Sequence, residues 1–464
     1  MKATSRFLGL MMLGIGLSVV GCAKKQPALW QSIKNPEVTA QLKLFVAEKE
    51  AQADAATNES PPGFAPFFAA AKKGDWAAVS NAFANFRNHA GQYDGVAKPD
   101  ERLRGTQWQT IIEIWGALDA FNGGDAKYIA AYGNDIVASI PPGSIYFGGT
   151  DPGRFVVTAM EKSHVNGDPF YGLTQNALAD GTYLDYLRGM YGDKIYLPTD
   201  EDVQRCFQDY TEDAEKRLNS HQLKPGENVT RDGGGHVQVS GQVAVMGING
   251  LLCKVIFDQN PNREFYIEES FPLDWMYPYL EPHGLIFKIN RQPLSELSDE
   301  MVRRDHDYWT NYLAPMMGNW LNDDTPVSDV AAFAEKVYLK HDYSGFTGDR
   351  AFVQNDYASK TFSKERSSIA GLYAWRAQHA TDATEKERMN QAADFAFRQA
   401  WALCPYSPEA VYRYVNLLLS RNRVSDALAV AETSAKMPAM QGATGTQVRA
   451  LVNHLKQFQK QRPF

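Results

Sequence analysis

Two stretches near the C-terminus end alike, 33 residues apart: Ala400-Trp401-Ala402-Leu403-Cys404-Pro405 and Thr433-Ser434-Ala435-Lys436-Met437-Pro438. A period of that size belongs to a two-helix unit that cannot bury its apolar face alone and must stack on a neighbour. Apolar residues recur every three or four positions in the segments around both endings. The expected helices are 365–380 paired with 384–403, then 408–420 paired with 424–436, with 444–461 closing the array. Their 3–4-residue spacing puts Tyr373, Phe397, Trp401, Tyr412 and Leu418 on inward stripes.

The N-terminus has a different constraint. Lys2 and Arg6 precede an apolar run from Phe7 to Val20, closed by Val19-Val20-Gly21-Cys22 and followed by Ala23-Lys24-Lys25-Gln26. The run is too short to span a bilayer comfortably and has the layout of an export signal. Its last four residues resemble a bacterial lipobox, which implies cleavage after Gly21 and acyl chains on Cys22. Each buried CH₂ of such chains contributes about 0.8 kcal/mol to membrane attachment. The expectation is an exported lipoprotein of the cell envelope, at the periplasmic face of a membrane or at the cell surface. It would meet the membrane through its lipid anchor only.

Composition places the body of the chain among globular proteins, with 44% hydrophobic, 12% aromatic and 22% charged residues. The formal net charge is −7, and loss of Lys2 and Arg6 makes the mature chain more acidic still. An acidic chain without a basic run is poorly suited to phosphate backbones, which excludes a nucleic-acid partner. Beyond Cys22 there are Cys206, Cys253 and Cys404, far apart and without a CxxC or an adjacent histidine pair. Zinc therefore has little support, and buried free thiols are expected over a Cys206–Cys253 disulfide.

The patterning divides the chain into a signal (1–21), a tether and linker helix (22–63), helical hairpins (64–139), an α/β domain with helical insertions (140–340) and the helical tail (341–464). Phe64 to Ala71, a Lys73-Gly74-Asp75-Trp76 turn, and then Val79, Phe83 and Phe86 on one face read as a hairpin, followed by helices at about 106–121 and 125–139. Strands are expected at 144–147, 169–175, 264–268 and 284–289. The intervening helices include one opened by a Thr199/Asp202 capping box. Pro272 to Glu281 reads as a short helix, and 221–238 as a loop or disordered insert. The expected fold class is α/β plus all-α: a small, mostly parallel sheet flanked by helical hairpins, then a helical array.

Two runs carry a resemblance. Ile140-Pro-Pro-Gly-Ser-Ile-Tyr-Phe-Gly-Gly-Thr-Asp-Pro-Gly-Arg-Phe155 and the segment from Glu264-Phe-Tyr-Ile-Glu-Glu-Ser-Phe-Pro-Leu-Asp-Trp to Gly284-Leu-Ile-Phe-Lys-Ile289 are similar to the soluble C-terminal region of bacterial transmembrane O-mannosyltransferase-like proteins. The likeness covers about 140–464. With Ala427-Leu428-Ala429, the tail resembles a tetratricopeptide repeat, which implies a groove for a protein or peptide partner. The family's catalysis belongs to a membrane-spanning half that this sequence lacks, so glycosyl transfer does not carry over.

Candidate chemistry gathers at the strand-end loops, where helix N-termini turn their N–H groups into a crevice. Thr150, Asp151 and Arg154 follow the first strand, Asn176, Asp180 and Thr182 the second, and Glu268 and Glu269 end the third. Such acids with an Asn can bind sugar hydroxyls or a hard cation, or can simply cap helices. Glu268 and Glu269 point to opposite faces of a strand and cannot flank one bond. Arg303-Arg304-Asp305-His306-Asp307 reads as exposed helix charges. Trp275, Tyr277 and Tyr279 suit sugar rings, a proline-rich peptide or core packing. No catalytic set is complete and no cofactor or metal motif is present. The expected function is a binding or scaffold module working through the helical tail. The alternative is an envelope protein that binds or acts on carbohydrate at the strand-end loops.

Overall fold

The computed structural model describes residues 28–56, 60–91, 96, 98–161, 170–268 and 273–461. The segment expected to be an export signal, its Cys22, and Glu269 lie outside the described residues. Helix predominates, and a small mixed sheet of five strands accompanies it. The chain divides into two compact units, 1–265 and 266–464.

The first unit opens with α1 (Leu29–Ser32), α2 (Pro36–Ala55), α3 (Phe64–Lys73), α4 (Trp76–Arg87), α5 (Gly105–Gly123) and α6 (Ala126–Ser139). Asn35 caps α2, its Oδ1 accepting from the N–H of Glu37 and Val38, and Pro36 sits where a missing N–H costs nothing. The expected hairpin is α3–α4: Gly74 ends α3 in a left-handed conformation and Asp75 caps α4. Val79, Phe83 and Phe86 are all buried, and Phe83 stacks on Trp115 at 4.1 Å. α5 is buried nearly all round and forms the centre of the unit, with Trp108, Ile111, Ile114 and Leu118 withdrawn from water.

Next come β1 (Ile145–Gly148), α7 (Val157–Met160), β2 (Tyr171–Thr174), α8 (Gly181–Tyr191), α9 (Asp200–Asn219), β3 (Asn228–Arg231), β4 (Val237–Ser240) and α10 (Gln242–Gln259). β1 and β2 are parallel, with Tyr146 opposite Gly172. The capping box of α9 forms as expected, each of Thr199 and Asp202 accepting the other's backbone N–H. The segment 221–238 is not a plain loop. β3 and β4 pair antiparallel around a turn in which Asp232 Oδ1 accepts from Gly234 and His236. Buried Val229 and Val239 give that hairpin an apolar side. β5 (Phe265–Glu268) crosses the division between the units.

The second unit continues with β6 (Leu280–His283) and β7 (Ile286–Ile289), an antiparallel pair joined at Gly284 (φ 62°). The sheet is mixed, with β6 and β7 antiparallel. One expectation is corrected here: Leu280–Glu281, expected in a helix, opens a strand. Pro278 and Pro282 account for the change, because proline cannot donate within a helix and clashes with the preceding turn. Six helices beyond α11 (Asp299–Met317) and α12 (Val327–Ala334) complete the unit: α13 (Arg350–Val353), α14 (Asp356–His379), α15 (Ala383–Leu403), α16 (Pro408–Ser420), α17 (Val424–Ala435) and α18 (Gly442–Gln461). α14 starts nine residues before its expected start. Its first half is rich in serine and threonine, yet Ser359, Ser363 and Ser367 are buried, and Ser363 Oγ donates to the carbonyl of Ala400 at 2.7 Å. Small hydroxyls that bond to backbone allow α14 and α15 to approach closely.

Cys206, Cys253 and Cys404 are buried, and none is in a disulfide. Among the seam residues Tyr373, Phe397, Trp401 and Leu418 are buried as expected. Tyr412 is only partly so, and Tyr414, two residues on, takes its place against Phe397. Trp401 Nε1 donates to Ser434 Oγ at 3.0 Å, joining α15 to the residue 33 positions later in α17. Trp401→Ala should therefore destabilise the fold by about 3–5 kcal/mol, the range for a fully buried large aromatic. An unchanged melting temperature in calorimetry would contradict the packing described.

Candidate functional site

The expected site residues serve three different ends. Thr150 Oγ1 accepts from the N–H of Gly153, closing the turn after β1. Gly148 lies so near that turn that a Cβ there would sit 2.8 Å from the Gly153 carbonyl. Asp180 caps α8, its Oδ1 accepting from both the N–H and the hydroxyl of Thr182. Asn176 joins the two loops, donating to the Gly149 carbonyl at 3.2 Å, while its buried Oδ1 has no partner among the described residues. Asp151 is exposed, and its charge, after burial itself, helps raise the Asp119 carboxyl of α5 to about 6. Glu268 is fully buried in β5. Arg154 turns inward, 8% exposed, with its guanidinium over the Phe155 ring and its Nε unpartnered among the described residues.

Arg154 lines a cavity of about 40 Å³ whose polar groups come from α2, α5, α7, α8 and the strand ends. Lys49 Nζ lies 2.6 Å from Glu113 Oε2 and donates to the Tyr186 hydroxyl at 2.7 Å, and that hydroxyl donates to Glu113 at 2.8 Å. Lys49 is the feature that sequence reading missed: it lies on the buried face of α2, within the segment expected as tether and linker helix. Burial lifts the Glu161 carboxyl well above the ordinary carboxylate range; Lys49 opposes the shift and Glu113 adds to it. Burial and the Glu113 charge also raise the Tyr186 phenol, so it remains a donor. At this volume the cavity is the size of two or three water molecules, and its chemistry fixes α2 against α5 and α8.

The second unit holds a larger space, of about 270 Å³, bounded by α11, α14 and α15. Its floor is Asp305, expected among exposed helix charges but only 4% exposed. Asp305 Oδ2 accepts from Arg366 at 2.7 Å and from the Tyr373 hydroxyl at 2.8 Å. Arg366 also donates to Gln399 and lies over the Trp309 ring. Asp305 Oδ1 is buried without a partner among the described residues. Val302, Ala392 and Phe395 form apolar wall, and His306 covers Phe395 with its ring at 5.0 Å. A signal for this site exists in the sequence: Asp305, Trp309 and Leu313 recur at four-residue spacing, which puts the acid on α11's apolar stripe. Elsewhere in this unit Tyr277 stacks on Trp375 and Arg376 holds the Pro278 carbonyl, so packing engages the proline-flanked aromatics.

Among the described residues no group of three or more His, Cys, Asp or Glu is placed to hold a metal, and no helix is long and apolar enough to cross a membrane. No family model matches the chain, and neither does any curated protein or solved structure.

Lys49→Met should cost about 3–5 kcal/mol by leaving Glu113 buried without its cation, and Lys49→Met with Glu113→Leu should recover most of that. Urea unfolding of the three proteins measures both; an undiminished loss in the double variant would refute the pairing. Because the folded state holds the Glu161 proton above the carboxyl's ordinary value of 4.5, its contribution to stability falls as pH rises from there through the raised folded value. Glu161→Gln should flatten that part of the pH–stability curve. A curve identical to the parent's would show that Glu161 is ionised in the fold.

Proposed function

We propose that this protein is an exported binding module, tethered to a membrane through lipidated Cys22, whose capturing part is the C-terminal helical unit. The observation that carries the reading is the cavity between α11, α14 and α15, with a buried acceptor left over on its floor. A folded protein rarely leaves a carboxylate oxygen buried and unpaired without a use for it. The successive helical pairs α14–α15 and α16–α17 with α18 resemble tetratricopeptide stacking, a scaffold suited to a protein or peptide partner laid along it. A glycan site at the strand-end loops has weaker support, since Thr150 and Asp180 are engaged in turns and caps. The reading requires no catalytic step.

Cys22→Ser should move the protein from the membrane fraction to the soluble exported fraction; unchanged membrane association would remove the tether. Ala392→Trp fills the cavity from an apolar wall without stranding a charge. The immobilised full chain should retain a component of solubilised envelope, and Ala392→Trp should release it with Tm held within about 2 °C. Retention unaffected by that substitution would place capture elsewhere.

A further inference from the structure

Around the smaller cavity, in the first unit, two hydrogen-bond donors are left over. Three of the four phenols that line it have acceptors: Tyr146 donates to the Gly153 carbonyl at 2.8 Å, Tyr191 to the Gly172 carbonyl at 2.9 Å, and Tyr186 to Glu113. The Tyr183 hydroxyl accepts from the N–H of Thr174 at 2.6 Å, and its own proton has no acceptor among the described residues. Arg154 makes no ion pair or side-chain hydrogen bond among the described residues and rests on the Phe155 ring at 4.5 Å. Of its guanidinium nitrogens only Nε is completely enclosed, so Nη1 and Nη2 reach the space that Arg154 lines. One turn of π-helix, Pro152–Val156, carries Arg154 inward, a distortion that recurs at functional sites. Burial raises the Tyr183 phenol to about 12 and the nearby Arg154 charge opposes that rise, so the two donors share one end of the cavity.

Three acids line the same space. Glu113 is held by Lys49 at 2.6 Å and by the Tyr186 hydroxyl. Glu161 belongs to the other end: burial raises its carboxyl, Lys49 and Glu113 are the charges that act on it, and Arg154 is not among them. Glu48 is half-exposed, and water screens its charge. The charge left without a partner is the Arg154 cation. A buried cation is costly until a counter-charge and hydrogen bonds meet it. A second cation would be repelled, and a neutral amide or alcohol oxygen would leave the charge unmatched. A carboxylate brings both a charge and two coplanar oxygens, the shape that a guanidinium fork matches. At about 40 Å³ the space takes two or three atoms the size of a water oxygen, enough for a carboxylate head and too little for a tetrahedral phosphate or sulfate. We infer that this cavity binds one small carboxylate, of the size of formate or acetate, whose two oxygens accept from the Arg154 guanidinium and one of them also from the Tyr183 hydroxyl. The site is built from the first unit alone.

Saturation-transfer NMR on the full chain tests this with formate and acetate, against acetamide, methylammonium and methyl phosphate. Probes are raised to about 50 mM, because ligands of three or four non-hydrogen atoms reach about millimolar affinity at best. Formate and acetate should receive transfer and displace each other, and the other three probes should receive none. Arg154→Met should weaken binding at least ~10-fold, the loss of one hydrogen bond to a charged group or more. In carboxylate-free buffer its Tm should equal or exceed the parent's, because the substitution removes a buried charge that the fold leaves unpaired. Arg154→Lys keeps the charge without the fork and should fold and bind more weakly than the parent. Tyr183→Phe should weaken binding less than Arg154→Met, and the exposed control Lys73→Met should leave it unchanged. A lower Tm or an unfolded chain in Arg154→Met would mean that the fold itself pairs Arg154, overturning the site. Transfer to acetamide equal to that for acetate would remove the need for charge. Chloride that displaces formate at equal concentration would overturn the carboxylate assignment, as would no transfer to either carboxylate.

Discussion

Packing around α11, α14 and α15 centres on a buried ion pair, Asp305 with Arg366, both almost wholly withdrawn from water. Desolvating either charge alone would cost several kcal/mol, and pairing offsets this only with good geometry and further hydrogen bonds. Both are present: Tyr373 donates to the carboxylate, Gln399 accepts from the guanidinium, and the Trp309 ring lies beneath it. Such a pair adds less to stability than an apolar replacement could. Its effect is to specify spacing, since any shift of one helix breaks a bond that nothing else can replace. The width of the adjoining cavity follows from that spacing.

The first unit follows the same rule with a different result. Lys49, Glu113 and Tyr186 close a triangle of bonds at 2.6–2.8 Å, and the space beside them holds only water-sized volumes. The polar groups there mostly face one another, and burial lifts the Glu161 carboxyl well above the ordinary carboxylate range. In the second unit Asp305 lines an open volume several times larger, and one of its carboxylate oxygens is buried without a partner among the described residues. This difference, rather than the number of polar residues, separates a mostly self-paired polar core from the larger candidate binding site.

Much of the architecture was legible because local signals agreed with it. The α3–α4 hairpin has its Gly-Asp turn, α9 its capping box, and α15 to α18 lie close to where periodicity put them. Departures occurred where long-range contacts override local preference. Tyr414 displaces Tyr412 on the seam because packing against Phe397 decides the register. β6 forms where a helix pattern stood because β7 offers it a partner. Serines that lower helix propensity sit within α14 because their hydroxyls bond across to α15.

The candidate site divides in the same way. The sequence by itself determined the helical periods, the caps and turns, and the segments of β1, β2, β5 and β7, since each is written in residues close together in the chain. It also placed Asp305 on an apolar stripe, a clue whose meaning depended on what lay opposite. Only the tertiary structure decided that Arg366, 61 residues on, would neutralise that acid. The same holds for Lys49, which meets Glu113 in another helix, and for Arg154, which turns inward rather than toward a ligand at the loops. Charge pairing and burial are properties of surfaces brought together from distant segments, and a buried acid looks like an exposed one until its partner is known.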